Sequence, residues 1–262
     1  MAETPRIDTR IEERAPGHVA HVTVDHPGKL NVLNRALIAA LREQFTALGR
    51  DERLRAVVLR GAGERAFIGG ADIRDMATLD EASAREFIML LHGACDAARR
   101  LPVPIIARIE GYALGAGLEV AAACDIRIAA AGARFGMPEV KVGIPSVIEA
   151  ALLPALIGWG RTRRLLYTGE TIDAAEAERW GLIERCVPKA ELDGAIDAAL
   201  GAILACGPRA IRLQKALIRE WEELPLSQAI ARGIACFGDA FKTDEPKRMM
   251  GAFLAGKARA QK

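Results

Sequence analysis

IIARIEGYALGAGLEVAAACDIRIAA, residues 105–130, holds the pattern from which the fold is read. Ile105–Ile109 is a short apolar, β-branched run of strand length. Gly111, Gly115 and Gly117 punctuate the next segment, and the small residues beyond Ala116 predict a helix. Asp125–Ala130 (DIRIAA) predicts a second strand. A strand, a turn, a helix and another strand in so short a span argue for an α/β fold. One residue in the stretch is out of place. From Tyr112 to Cys124 every side chain is small or apolar except Glu119. An unpaired carboxylate in such surroundings is costly, and such groups shift their pKa, find a partner or do chemistry.

The alternation extends outward. His18–Asp25 (HVAHVTVD) predicts a strand, and HPGKLN a turn after it. Leu33, Leu37, Leu41, Phe45 and Leu48 recur at helical spacing. Arg55–Arg60 (RAVVLR) predicts a buried strand, and GAGERAFIGGAD (61–72) a glycine-punctuated loop and strand end. Asp80–Arg100 predicts a helix with Phe87, Leu90, Leu91 and Ala94 on one face, closed by LPVP. Strand signals cease after about residue 190. Helices are predicted over 192–204, 208–224, 227–237 and 246–257. The expected division is a core of 1–198 and a helical C-terminal segment of 199–262.

Composition narrows the function classes. The chain has 262 residues, ample for a proper core. Its 36 basic and 34 acidic residues give a net charge of +2, which lacks the basic excess of a nucleic-acid binder. Cys95, Cys124, Cys186, Cys206 and Cys236 form no CxxC and read as reduced, mostly buried thiols of a cytoplasmic protein. The polar N-terminal stretch lacks the apolar run of a signal peptide. No segment approaches the ~20 apolar residues of a membrane span. His18, His21, His26 and His92 stand apart from any cysteine or carboxylate cluster, so no metal site is expected. Nucleotide-binding, zinc-protease and serine-hydrolase signatures are absent.

Two glycine-rich turns remain, FIGGADI (67–73) and ALGAGLE (113–119). Facing one point, they would aim two backbone N–H groups at one oxygen, as in an oxyanion hole. Tight strand-to-helix packing is the other explanation of the same glycines. Glu119 reads as a favourable charge in a helix's first turn or as a catalytic group. Glu139, in FGMPEVKVGIP, reads as a loop glutamate or as a second carboxylate of the same site. Two carboxylates could hold a water between them, one taking a proton and the other giving one. Ser146-Val147-Ile148-Glu149 fits a capping box, and Glu149 reads alternatively as a third acid near the site.

AFIGGADIRDM (66–76), IEGYALGAGLEVAAACDIRIAA (109–130) and FGMPEVKVGIP (135–145), with HPGKLNVLN (26–34) and LLYTGETIDAAEAERWGLIERCVP (165–188), resemble the successive signatures of the crotonase superfamily, the enoyl-CoA hydratase/isomerase fold. The resemblance covers nearly the whole chain. It implies a spiral of ββα units with a helical C-terminal segment that serves trimers, commonly paired into hexamers. It places oxyanion-hole donors at Ala71 and Ala116, where family members often have glycine at the second. It places the hydratase glutamates at Glu119 and Glu139, with Glu139 as donor to C2 and Glu119 as water activator. Lys29, Leu30, Gly69, Asp72 and Arg74 match positions around coenzyme A, which arrives as part of an acyl-CoA thioester; no permanently bound cofactor, nucleic acid or membrane is implied. The implied reaction is hydration of a 2-enoyl-CoA to a 3-hydroxyacyl-CoA. Double-bond isomerisation and non-catalytic thioester binding are the alternatives. The chain departs from the family where P-G-x-G-G-T is common: residues 146–160 read SVIEAALLPALIGWG.

Overall fold

The computed structural model describes residues 4–260, with side chains as far as residue 256. The described chain forms two compact units, one ending at Ala199 and one beginning at Leu200.

In the first unit the first two strands both join the larger of two sheets, and each of the next three strand pairs of the spiral sends one strand to each sheet before a helix follows. It opens with β1 (Arg6–Glu13), β2 (His18–Asp25) and α1 (Arg35–Leu48). Next come β3 (Leu54–Gly61), β4 (Ala66–Ile68), a one-turn α2 (Ile73–Met76) and α3 (Glu81–Arg100). The pattern repeats with β5 (Ile105–Ile109), β6 (Tyr112–Leu114) and α4 (Ala116–Ala122), and again with β7 (Ile126–Ala130), β8 (Arg134–Gly136) and α5 (Leu153–Thr168). The chain continues through β9 (Thr171–Asp173), α6 (Ala174–Trp180), β10 (Arg185–Val187) and α7 (Leu192–Leu204). The larger sheet has the order β1-β2-β3-β5-β7-β10, and the smaller β4-β6-β8-β9. Pairings β2–β3, β3–β5, β5–β7 and β7–β10 are parallel, as are β4–β6 and β6–β8. Parallel strands covered on both faces read as continuous apolar runs, which is why β5 is buried at every position.

Local sequence sets the boundaries. Asn34 caps α1 by accepting from the Leu37 N–H at 2.8 Å. Asp80 and Ser83 form a reciprocal capping box at the start of α3. The apolar face of α1 (Leu37, Ile38, Leu41, Phe45) is fully buried, as are Phe87 and Leu91 of α3. Each such side chain contributes ~1.5–3 kcal/mol relative to exposure. The spacing-based helix therefore begins two residues later than Leu33. Leu33 instead forms a β-bridge with Ala71.

β1 carries no strand signal in its sequence. Its only large apolar residues are Ile7, which packs against the core, and Ile11, which is exposed, too few to mark a strand among charged neighbours. Its antiparallel pairing with β2 makes it an edge strand that tolerates Arg, Asp and Glu. The thiols are also less buried than expected. Cys95 and Cys124 are buried, Cys186 and Cys236 half-buried, and Cys206 exposed. Cys236 sits on a partly covered helix, and Cys206 in the bend between the helices of 192–204 and 208–223.

The second unit holds the end of α7, then α8 (Pro208–Glu223), α9 (Leu226–Ala240) and α10 (Glu245–Ala260). α8 and α9 pack together, and the Trp221 ring N–H donates to the Ala229 carbonyl at 2.9 Å. Glu245 caps α8 by accepting from Ala210 N at 2.9 Å and Arg209 N at 3.1 Å. No single helix among the described residues is long and apolar enough to cross a membrane.

Candidate active site

Three neighbouring parallel strands end on the same side of the small sheet. β4 runs into Gly69-Gly70-Ala71, β6 into Gly115-Ala116, and β8 into Met137-Pro138-Glu139. In open α/β sheets the carboxyl ends of the strands are where ligands are held. Here the three ends, with α3 and the 142–147 loop, line one cavity of about 340 Å³. Ala71, Ala116, Glu119 and Glu139 all face it. Phe87, Ile88, Leu91, Val142, Ile144 and Val147 supply its apolar wall. A larger groove of about 520 Å³, between α1 and α3, is lined by Arg42, Arg50 and Arg100 and contains none of these groups.

The bridge to Leu33 orients the first turn. Leu33 N–H donates to the Gly70 carbonyl at 2.8 Å, and Asp72 N–H to the Leu33 carbonyl at 2.9 Å. Alternate groups of an extended chain point to opposite sides, so the Ala71 N–H faces away from Leu33. Ala116 is the first residue of α4, where an N–H has no acceptor within the helix. The N–H groups of Leu118 and Glu119 both turn to the Gly115 carbonyl, at 2.8 and 3.0 Å. Neither the Ala71 nor the Ala116 N–H has an acceptor among the described residues.

Two glycines make the second turn possible. Gly115 has φ +51°, and a Cβ there would overlap the Glu139 carboxylate. A Cβ on Gly117 would overlap the Ile68 carbonyl, so only glycine lets α4 approach β4 this closely. Packing and N–H exposure are thus two results of the same residues.

Glu119 is 5 % exposed, and its Oε1 accepts a long 3.4 Å hydrogen bond from Ala150 N–H. Burial, and then the charge of Glu139, push its pKa up to about 8, with a smaller contribution from Glu149. Glu139 is half-buried, and its Oε2 accepts from the Ser146 hydroxyl at 2.8 Å.

The raised pKa has a consequence for stability. The native state keeps the Glu119 proton up to about pH 8, whereas the unfolded chain releases it near 4.5. Native protein therefore binds more protons between those values, and stability falls as pH rises through the window, by up to ~1.4 kcal/mol per unit. Glu119→Gln removes the penalty. The variant is expected to match the parent near pH 4.5 and to exceed it by a growing margin, on the order of a few kcal/mol, up to pH 8. Urea midpoints across that range check this, and a margin that does not grow refutes it.

Glu149 does not form a capping box. Ser146 spends its hydroxyl on Glu139, and the 3₁₀ turn Ile148–Leu152 begins without a side-chain cap. Ile148 has φ +39°, in the left-handed region where glycine is favoured and a β-branched side chain is strained. That backbone twist carries Glu149 inward. It is 3 % exposed, shares a hydrogen bond with His92 Nδ1 at 2.9 Å, and lies close enough to raise the Glu119 pKa. It does not line the cavity.

The five residues matched to coenzyme A lie together at one rim. Gly69 lines the cavity and donates its N–H to the Leu30 carbonyl at 2.8 Å. Lys29 Nζ stands 3.7 Å from Asp72 Oδ2, so part of its charge is already answered. Asp72 also caps α2 by accepting from Arg74 N–H at 2.9 Å, and the Arg74 side chain is exposed. Lys29, Leu30, Asp72 and Arg74 stand outside the cavity lining.

The family described as enoyl-CoA hydratase/isomerase matches residues 14–259. The chain is 36 % identical over 239 residues to the short-chain-enoyl-CoA hydratase of Clostridium acetobutylicum, covering 91 % of this chain and 92 % of that protein. It is 36 % identical over 237 residues to the crotonyl-CoA hydratase of Syntrophomonas wolfei, covering 90 % and 91 %. The crystal structure of an enoyl-CoA hydratase from Mycobacterium smegmatis superposes with a TM-score of 0.92 at 31 % identity, covering 97 % of each chain.

Proposed function

Because the chain belongs to the enoyl-CoA hydratase/isomerase family, we propose that it adds water across the double bond of a 2-enoyl-CoA thioester to give the 3-hydroxyacyl-CoA. One observation carries the reading. Two unpaired N–H groups and two carboxylates meet in one apolar-walled cavity at three adjacent strand ends.

The thioester oxygen lies between the Ala71 and Ala116 N–H groups. Water held by Glu119 and Glu139 bonds through its oxygen to C3. One of its protons passes to Glu119. The former double-bond electrons move onto C2 and the thioester, and C2 takes a proton from Glu139. In the resting pair the proton sits on Glu119; before water adds, that proton passes to Glu139, which leaves Glu119 ionised and, being buried, a strong enough base to take a proton from water. After the addition the two glutamates have exchanged protonation states, and the pair is back in its resting form. The oxyanion hole carries the enolate charge, and each such donor is typically worth ~3–4 kcal/mol of barrier. Coenzyme A enters and leaves with the substrate, along the rim of Lys29, Leu30, Gly69, Asp72 and Arg74.

The direct experiment tracks the ultraviolet absorbance of crotonyl-CoA and identifies the product. Absorbance loss with formation of 3-hydroxybutyryl-CoA supports hydration. No water addition, with a shifted double bond on a 3-enoyl thioester, replaces it with isomerisation.

The pair works with one proton between its members. Whichever member holds it, the pH profile reports the pair. The kcat/KM for crotonyl-CoA is therefore expected to fall above about pH 8, as the proton held by Glu119 is lost. A profile flat to about pH 10 refutes this.

The second unit supports a self-association reading. Leu226, Ile230, Ile234 and Phe237 form an exposed apolar stripe on α9, and Met250, Phe253 and Leu254 are exposed on α10. A homotrimer, or a pair of trimers, is the assembly proposed for it. Five cysteines held as thiols rather than disulfides fit a reducing cytoplasmic setting.

A further inference from the structure

We propose that Glu149 and His92 are positioning residues for Glu119, setting its orientation and the charge behind it from outside the substrate cavity. The proposal rests on the hydratase reading for its catalytic meaning, but its geometry stands apart from it.

The Val147–Ala150 turn is anchored at two points. At one, Ala150 N–H reaches the Glu119 Oε1. At the other, Glu149 is tied to His92 Nδ1 of α3 at 2.9 Å. Between them Ile148 holds a left-handed backbone that its side chain disfavours. Such conformations persist where the surroundings over-determine them, and they cluster at functional sites. The two anchors are what over-determine this one.

The burial is asymmetric. Glu149 is 3 % exposed and its Oε2 has no hydrogen-bond partner, whereas half of the His92 side chain is exposed. The bond to His92 ties this buried side chain to a group at the surface. The titratable groups facing it are His92 and Cys95 from α3, Glu119 of α4 with Cys124 just beyond it, and Glu139 across Glu119. α5, which also packs on the turn, brings the apolar Leu153 and Ile157. The burial of Cys95, and then the charge of Glu149, push that thiol's pKa well up, so it stays neutral and His92 is the only basic partner facing Glu149 among the described residues.

Two variants test this in the full-length protein. Glu149→Gln keeps the shape and the bond to His92 but removes the charge. His92→Ala removes the 2.9 Å hydrogen bond that anchors Glu149, and with it the turn, to α3. Glu149→Gln removes negative charge beside Glu119, which then releases its own proton more readily, and His92→Ala frees the turn whose Ala150 N–H reaches Glu119. The alkaline limb of kcat/KM is expected to move to lower pH by about half a unit or more in Glu149→Gln and to move in His92→Ala as the Ala150 hydrogen bond loosens, with KM within about twofold in both, since neither residue touches the cavity. A second readout needs no activity. The pH 8 stability gain of Glu119→Gln is expected to shrink when Glu149→Gln is also present, because the two sites are coupled. Limbs unmoved in both variants, with fully additive stability changes, overturn the proposal. If the parent hydrates no thioester, the hydratase reading fails by itself and the stability cycle alone decides the Glu149–Glu119 coupling.

Discussion

Glu119→Gln and Glu139→Gln are each expected to lower kcat for crotonyl-CoA hydration by about 10²- to 10⁴-fold, the range that a positioned acid or base contributes. Glutamine keeps the size of the side chain and one acceptor oxygen, so the cavity and its apolar wall remain. It can neither take a proton from water nor give one to C2. In the proposed mechanism the carboxylates act as a unit on one water, so the two losses should not multiply in the double variant. Folding does not confound the result. Glu119 is a liability to stability at neutral pH, so Glu119→Gln is expected to melt higher than the parent while losing activity. The KM should change little, since the cavity's apolar wall of Phe87, Ile88 and Leu91 and its two glycine-rich turns are left as they are. Steady-state kinetics beside a melting curve decide the matter. Either variant retaining a tenth or more of the parent kcat removes that glutamate from the chemistry.

Glu119 is legible in the sequence because it breaks its own context. A carboxylate between Ala116-Gly117-Leu118 and Val120-Ala121-Ala122 conflicts with local burial, and such conflicts mark functional sites. The structure places it in the cavity, 5 % exposed. Glu139 is less legible, since a glutamate after proline in a loop breaks no rule. What brings it to Glu119 is the parallel pairing of β6 and β8, with Leu114 opposite Gly136, and no local period encodes that pairing. The strands of the small sheet that carry the site have three residues each, too few to alternate. In the larger sheet β2, β3, β5 and β7, with five to eight residues and largely buried, are readable from sequence because they are apolar. β1, with two isoleucines among charges, is not.

Glu149 shows how a local signal can mislead. Ser-x-x-Glu before an apolar run is a sound helix-start pattern. Here both of its side chains are drawn off by tertiary partners, Ser146 by Glu139 and Glu149 by His92, which lies 57 residues earlier in the chain. No sequence signal joins His92 to residue 149. The replacement of family glycines in this segment is visible in the sequence, yet its outcome is not. The backbone at Ile148 keeps a glycine-like φ of +39°, so the chain makes a glycine-type turn without glycine and adds a buried carboxyl beside it.

The backbone donors allow a test that alters no functional side chain. Ala116→Pro is expected to lower kcat about 10²- to 10³-fold, the usual cost of one oxyanion-hole donor. Ala116 is the first residue of α4, the position where proline is best tolerated because its missing N–H would have no helical acceptor. The preceding Gly115 lacks the Cβ through which proline restricts its neighbour. The substitution thus removes the N–H that faces the cavity and spares the hydrogen bonds of α4 from Leu118 and Glu119 to the Gly115 carbonyl. Ala116→Gly is the matched control. It keeps the N–H, removes only a methyl, and is expected to hold kcat within a few-fold. A proline variant that melts near the parent and turns over near the parent rate would place the thioester oxygen elsewhere. Loss in the proline variant with retention in the glycine variant, both melting near the parent, assigns the thioester oxygen to the Ala116 amide, because proline changes that one point by putting a ring carbon where the hydrogen stood, while the glycine variant shows that the turn tolerates a change of side chain.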